Sequence, residues 1–143
     1  MNRINLITLG VRDINKSLRF YRDGLGFHTP SEEDNPAVVF FNNAGTKLAL
    51  YPIEELAKDI NEKEQPKRNG FPGVTFAYNA KSIEEVDDII KKAEKAGGII
   101  EKLPQRVFWG GYSGYFSDLD GYYWEVAYSE DWSFDEADML IIK

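Results

Sequence analysis

Tyr115-Phe116-Ser117-Asp118-Leu119-Asp120-Gly121-Tyr122-Tyr123-Trp124-Glu125-Val126 reads as a strand, a tight turn and a second strand. Aromatic residues suited to a pleated sheet flank Asp120-Gly121, a pair that tolerates the backbone of a short hairpin turn. The second arm has a counterpart upstream. Gly45-Thr46-Lys47-Leu48-Ala49-Leu50 follows an Asn43-Ala44 turn just as Gly121-Tyr122-Tyr123-Trp124-Glu125-Val126 follows Asp120, and the two glycines stand 76 residues apart.

Working outward, each hairpin is preceded by the same order of elements. Asn5 to Val11 is apolar and β-branched enough for a buried strand, and Asp13 can cap the helix that follows. Ile14, Ser17, Leu18, Tyr21 and Leu25 recur at helical spacing until Gly24 and Gly26 stop the helix. Strand-like runs then lie at Ala37 to Asn42 and Lys47 to Tyr51, with Phe27 to Thr29 as a short first member. In the second half Gly73 to Tyr78 reads as a strand, and Ser82 with Glu85 forms a capping box. Ile83, Val86, Ile89, Ile90 and Ala93 form an amphipathic stripe ending at Gly97-Gly98. Strands follow at Ile99 to Leu103, Tyr112 to Ser117 and Tyr122 to Ala127. Internal duplication accounts for this order. The reading is an α+β protein, a single domain over 1–143, with module one at about 4–51, a linker or lid at 52–72, module two at about 73–128 and a tail at 129–143. The tail mixes acids with Trp132, Phe134 and Met139-Leu140-Ile141-Ile142, and such an apolar end is expected to pack on the body or on a second subunit.

Composition narrows the chemistry. The 143 residues include no cysteine and one histidine, His28. Thiolate zinc sites, iron–sulfur clusters, disulfides and cysteine nucleophiles are excluded, and so is a centre needing two or three histidines from one chain. A metal site would have to be oxygen-rich or shared between subunits. The net charge is −7, and it comes entirely from the second half: residues 1–70 carry 10 basic and 10 acidic side chains, residues 71–143 carry 7 and 14. Such a chain repels phosphate backbones, so nucleic acid is not an expected partner. No apolar run approaches the roughly 18 residues of a membrane span, and Met1 to Asn5 lacks a signal-peptide core. The expectation is a cytoplasmic protein that does not engage a membrane.

Two motifs carry a resemblance. Leu9-Gly10-Val11-Arg12-Asp13 leads into Ser17-Leu18-Arg19-Phe20-Tyr21 and Leu25-Gly26-Phe27, and the 115–126 stretch ends in Asp118-Leu119-Asp120-Gly121 with Glu125 four residues on. Together, each in its proper half, they resemble the vicinal oxygen chelate superfamily of glyoxalases, bleomycin-resistance proteins and extradiol dioxygenases, from Ile4 to about Tyr128. The resemblance implies two βαβββ modules whose curved mixed sheets enclose a cavity, and it leaves open a homodimer with exchanged modules. Metal-dependent members bind a divalent ion through four side chains, two from each module, and use it as a Lewis acid on vicinal substrate oxygens. Carried over, the first-strand ligand falls on Leu6, its counterpart near Gly73 and the last-strand ligand of module one on Ala49. Only the final glutamate is retained, as Glu125. Leucine, glycine and alanine offer no side-chain donor, so neither metal nor cofactor is expected.

Glu125 is the candidate catalytic residue: a carboxylate in an apolar cavity can act as acid, base or hydrogen-bond acceptor, or it can be an inherited group satisfied by a neighbouring tyrosine or backbone amide. Phe108-Trp109-Gly110-Gly111-Tyr112-Ser113-Gly114-Tyr115 alternates glycines with flat apolar rings, so Phe108, Trp109, Tyr112 and Tyr115 are candidate ligand contacts, against a packed strand connection as the plainer alternative. Tyr115 also falls where some relatives present a cavity hydroxyl. Arg106 is a candidate partner for an anionic ligand or a surface ion pair. His28 reads as a packing or surface residue. The function these features point to is metal-independent binding of a small, partly aromatic or apolar molecule in the inter-module cavity that the resemblance implies; the alternative is a lyase, isomerase or dioxygenase-like enzyme using Glu125 with an unconventional metal site.

Overall fold

A computed structural model describes residues 1–32 and 34–143. The chain divides into two units, Met1–Pro72 and Gly73–Lys143.

In the first unit, β1 (Leu6–Val11) runs parallel to β3 (Lys47–Pro52), which pairs on its other side with antiparallel β2 (Val39–Phe40). Asp13 caps helix α1 (Ile14–Arg19): its carboxylate accepts the Lys16 N–H at 3.0 Å. The helical spacing reads on to Leu25, but the backbone widens into a π-helical turn at Phe20–Gly24, and both Phe20 and Tyr21 are buried. Those two neighbours join Phe27 and Phe41 in a cluster of rings with centroids 5.1–5.8 Å apart, packed with Leu48, Leu50 and Val39 at the centre of the unit. Edge-on and tilted ring pairs of this kind add about 0.5–1.5 kcal/mol each beyond the area they bury.

Strand formation here is sparser than the sequence suggests. Of Ala37 to Asn42 only Val39–Phe40 is a strand, and Phe27 to Thr29 forms none. Pro30 and Pro36 have no N–H to donate to a ladder. The segment is held by isolated bonds instead, Asn42 N–H to the His28 carbonyl and the Thr29 hydroxyl to the Phe40 carbonyl, both at 2.7 Å. Within 52–72 the chain forms helix α2 (Ile53–Ile60), whose first residue seats on Gly10. A Cβ at Gly10 would come within 2.9 Å of Ile53 Cγ1, so only glycine lets α2 close on β1.

The second unit repeats the plan with one more strand. Its sheet runs β4 (Thr75–Asn79), β7 (Tyr123–Tyr128), β6 (Tyr112–Ser117), β5 (Ile99–Arg106), with β4 parallel to β7 and the other pairs antiparallel. As in the first unit, the opening strand lies parallel to the closing one, and β3 and β7 begin 76 residues apart. The fold is α+β with two mixed sheets, of three and four strands. β5 bulges twice and extends through Pro104, as an edge strand can. Helix α3 (Ile83–Lys95) buries Val86, Ile90 and Ala93 against the face carrying Phe76, Phe116, Trp124 and Val126, where Phe116 and Trp124 stack at 6.1 Å. Ser82 Oγ accepts the Glu85 N–H at 3.1 Å, and the Glu85 carboxylate accepts the Lys81 N–H and the Tyr78 hydroxyl, both at 2.7 Å. The 118–122 turn is organised by Asp118, a buried carboxylate accepting the N–H groups of Asp120 and Tyr122 at 2.9 and 2.8 Å. The tail folds into a small hairpin, Phe134 bridging to Leu140.

Candidate functional site

Alternation on β6 and β7 sorts the candidate residues between two faces. Phe116, Trp124 and Val126 point toward α3, and so does Tyr112, whose hydroxyl donates to Asp87 of α3 at 2.8 Å. That bond, more than burial, holds the Tyr112 phenol above its ordinary pKa. Tyr115 and Glu125, opposite one another in the β6–β7 register, share the other face. Tyr115 has its pKa raised by burial first and by the facing Glu125 carboxylate second. The phenol therefore keeps its proton at neutral pH. Both side chains are half-buried, and Ala77, Glu125's register partner on β4, is exposed.

The same face carries residues not singled out in the sequence. Ser113 and Ser117 are buried at alternate positions on either side of Tyr115, and Ser117 Oγ donates to Glu101 at 2.7 Å. The signal was period two along 113, 115 and 117. The remaining candidates lie elsewhere. Arg106, at the exposed end of β5, is opposite Tyr112, and Phe108 is fully exposed in the β5–β6 turn. Trp109 folds back on Gly111 and stacks on Trp132 of the tail, with centroids 5.7 Å apart and planes 19° apart. Tyr115 and Glu125 are thus brought together, while Tyr112, Arg106, Phe108 and Trp109 are placed around the far end of the β5–β6 hairpin. His28 belongs to the first unit.

Register also locates the counterparts of Glu125. Leu6 lies opposite Lys47 and Thr8 opposite Ala49, as Thr75 lies opposite Tyr123 and Ala77 opposite Glu125. Ala49 is the counterpart of Glu125 in the first unit. Thr75, two residues beyond Gly73, takes the place that Leu6 holds on β1.

The chain belongs to the Glyoxalase/Bleomycin resistance protein/Dioxygenase superfamily, whose family model matches residues 3–126. It is 30% identical over 115 residues to the uncharacterized protein YraH of Bacillus subtilis, spanning 80% of this chain and 88% of YraH. Among solved structures it is similar to a glyoxalase-related enzyme from Fulvimarina pelagi (TM-score 0.86, 27% identity, 99% of each chain). It is also similar to the hypothetical protein SA1046 of S. aureus (TM-score 0.74, 25% identity, 90% of this chain and 94% of that one).

The divalent ion used by metal-dependent vicinal oxygen chelate proteins does not fit the residues present. Leu6 and Ala49 have no side-chain donor, and Thr75 offers only a neutral hydroxyl. Among the described residues no group of three or more His, Cys, Asp or Glu side chains could hold a metal.

Proposed function

We propose that this protein binds a small, partly aromatic or apolar molecule on the sheet face that carries Tyr115 and Glu125, without a metal. One observation carries the reading: the retained glutamate is half-buried opposite a half-buried tyrosine, while Ala49, its register counterpart in the first unit, has no side-chain donor. The Tyr115–Glu125 pair still has acceptor capacity on both oxygens of the carboxylate and on the phenol. A ligand with an apolar or aromatic body and a hydroxyl or amine donor matches it.

Ligand-observed NMR with a panel of neutral aromatic alcohols and amines, on protein purified without chelator, tests this. Binders are expected, weakened by Tyr115→Phe and by Glu125→Gln roughly tenfold each, the scale of a lost hydrogen bond to a charged group. Absence of any binder would overturn the reading. So would stoichiometric nickel, zinc, iron or manganese in the purified protein that disappears in Glu125→Ala, which would favour a metal-dependent lyase, isomerase or dioxygenase-like enzyme.

A further inference from the structure

The sheet of the first unit bears an open groove of about 620 Å³, within the size range of small-molecule sites. Its apolar wall is Leu6, Pro30 and Phe40, the last 51% exposed, a large value for a phenylalanine on a strand. Its polar side holds Lys47 and His28. In a chain with 24 acidic and 17 basic residues, no carboxylate among the described residues lines this groove. Glu32 lines a second, smaller groove of about 380 Å³ that shares Thr29, Pro30 and Phe40 with the first.

Hydrogen bonds hold the backbone around Lys47 and His28. Lys47 is half-buried opposite Leu6, and its ammonium donates to the Asn43 carbonyl, which engages one of its three N–H donors. Asn43 itself is fixed, its amide donating to Thr46 O at 2.7 Å and accepting the Leu48 N–H at 3.0 Å. His28 is tied through its carbonyl to Asn42 N–H, beside Phe40, whose own carbonyl takes the Thr29 hydroxyl. Phe40, Lys47 and His28 therefore line one groove.

We infer that this groove binds a small anion with an aromatic or apolar body, an aromatic carboxylate being the simplest form, with the carboxylate at Lys47 and His28 and the ring against Phe40 and Leu6. Charge-assisted bonds to an ammonium are the strong class of hydrogen bond, and the chain's negative charge beyond about 8 Å is largely screened at physiological salt, so the local cation decides. The inference stands on the first unit alone and is independent of the Glu125 reading.

Because His28 is the only histidine, its imidazole signals in a heteronuclear NMR spectrum report this groove and nothing else. Benzoate, benzamide and inorganic phosphate are the probes. Benzoate is expected to move the His28 signals saturably and to bind at least roughly tenfold more tightly than either benzamide or phosphate. Lys47→Gln should weaken benzoate by a similar factor while Lys47→Arg retains it. Benzamide binding as tightly as benzoate, phosphate doing so, or Lys47→Gln binding like the parent would each overturn the inference. If Lys47→Gln loses its folded amide spectrum, the parent protein decides: raising salt from about 50 to about 500 mM must weaken benzoate, and an unchanged affinity refutes the anion role. Glu125→Gln leaves the expected His28 response intact, so failure here and failure of the Glu125 site are separable.

Discussion

Gly111→Ala isolates what the aromatic turn does for the tail. A methyl group built on Gly111 would stand 1.7 Å from Trp109 Cζ3 and 2.1 Å from Cη2, far inside contact distance, so the indole must leave. The stack of Trp109 on Trp132 goes with it. Losing an aromatic pair costs about 0.5–1.5 kcal/mol, while replacing glycine by alanine regains about 0.4–1 kcal/mol by restricting the unfolded chain. The net change in global stability is therefore expected to stay within about 1 kcal/mol, even though the tail hairpin loses an anchor. Its released population should rise roughly two- to twelvefold, the Boltzmann factor of the lost stack. Hydrogen exchange at the Ile141 amide, which donates to Ser133 O at 2.9 Å across the tail hairpin, measures this directly. Trp132→Ala should release the tail to the same extent, and the double variant should add little, because both changes remove one contact. Unchanged Ile141 protection and unchanged tryptophan emission in Gly111→Ala would refute the claim that the turn anchors the tail.

Two further predictions concern the second unit. Tyr78, 44% exposed, donates to Glu85, and burial together with that carboxylate raises its pKa from 10.0 to about 12. The folded protein then holds the proton more tightly than the unfolded chain, so the contribution is full below pH ~10 and lost as pH rises through ~12. The unscreened linkage, about 2.7 kcal/mol, shrinks to roughly 1 kcal/mol for so exposed a group, and Tyr78→Phe should flatten the stability profile by that amount between pH ~10 and ~12 in denaturant melts. Phe116→Ala removes a 2%-exposed ring stacked on Trp124 and should cost about 3–5 kcal/mol, seen as a lower urea midpoint; an unchanged midpoint would mean that the α3-facing side is not the core.

Much of the candidate site was legible because strands have an exact period. Once Tyr115 and Glu125 sit on strands joined by the 118–122 turn, their meeting depends only on register, and the turn chemistry sets the register. Trp109 was not legible in this way. Rings beside glycines are equally suited to a ligand wall or to packing, and what Trp109 meets is Trp132, 23 residues along the chain. The missing strand at Phe27 to Thr29 had a signal in Pro30 and Pro36, but its consequence, a groove in place of a paired strand, emerges only from what the neighbouring strands leave uncovered.

The sequence by itself determined the duplicated order of elements, the caps at Asp13 and Ser82, and the absence of side-chain donors at Leu6 and Ala49, because each is a matter of residue type at a fixed local spacing. Tertiary structure alone decided that Asp118 is buried within its turn, that Tyr112 and Tyr115 serve opposite faces with different carboxylates, and that Lys47 and His28 share a groove free of described acids. Those outcomes depend on which residues distant in the chain come within a few ångströms of one another, and no local pattern encodes that distance.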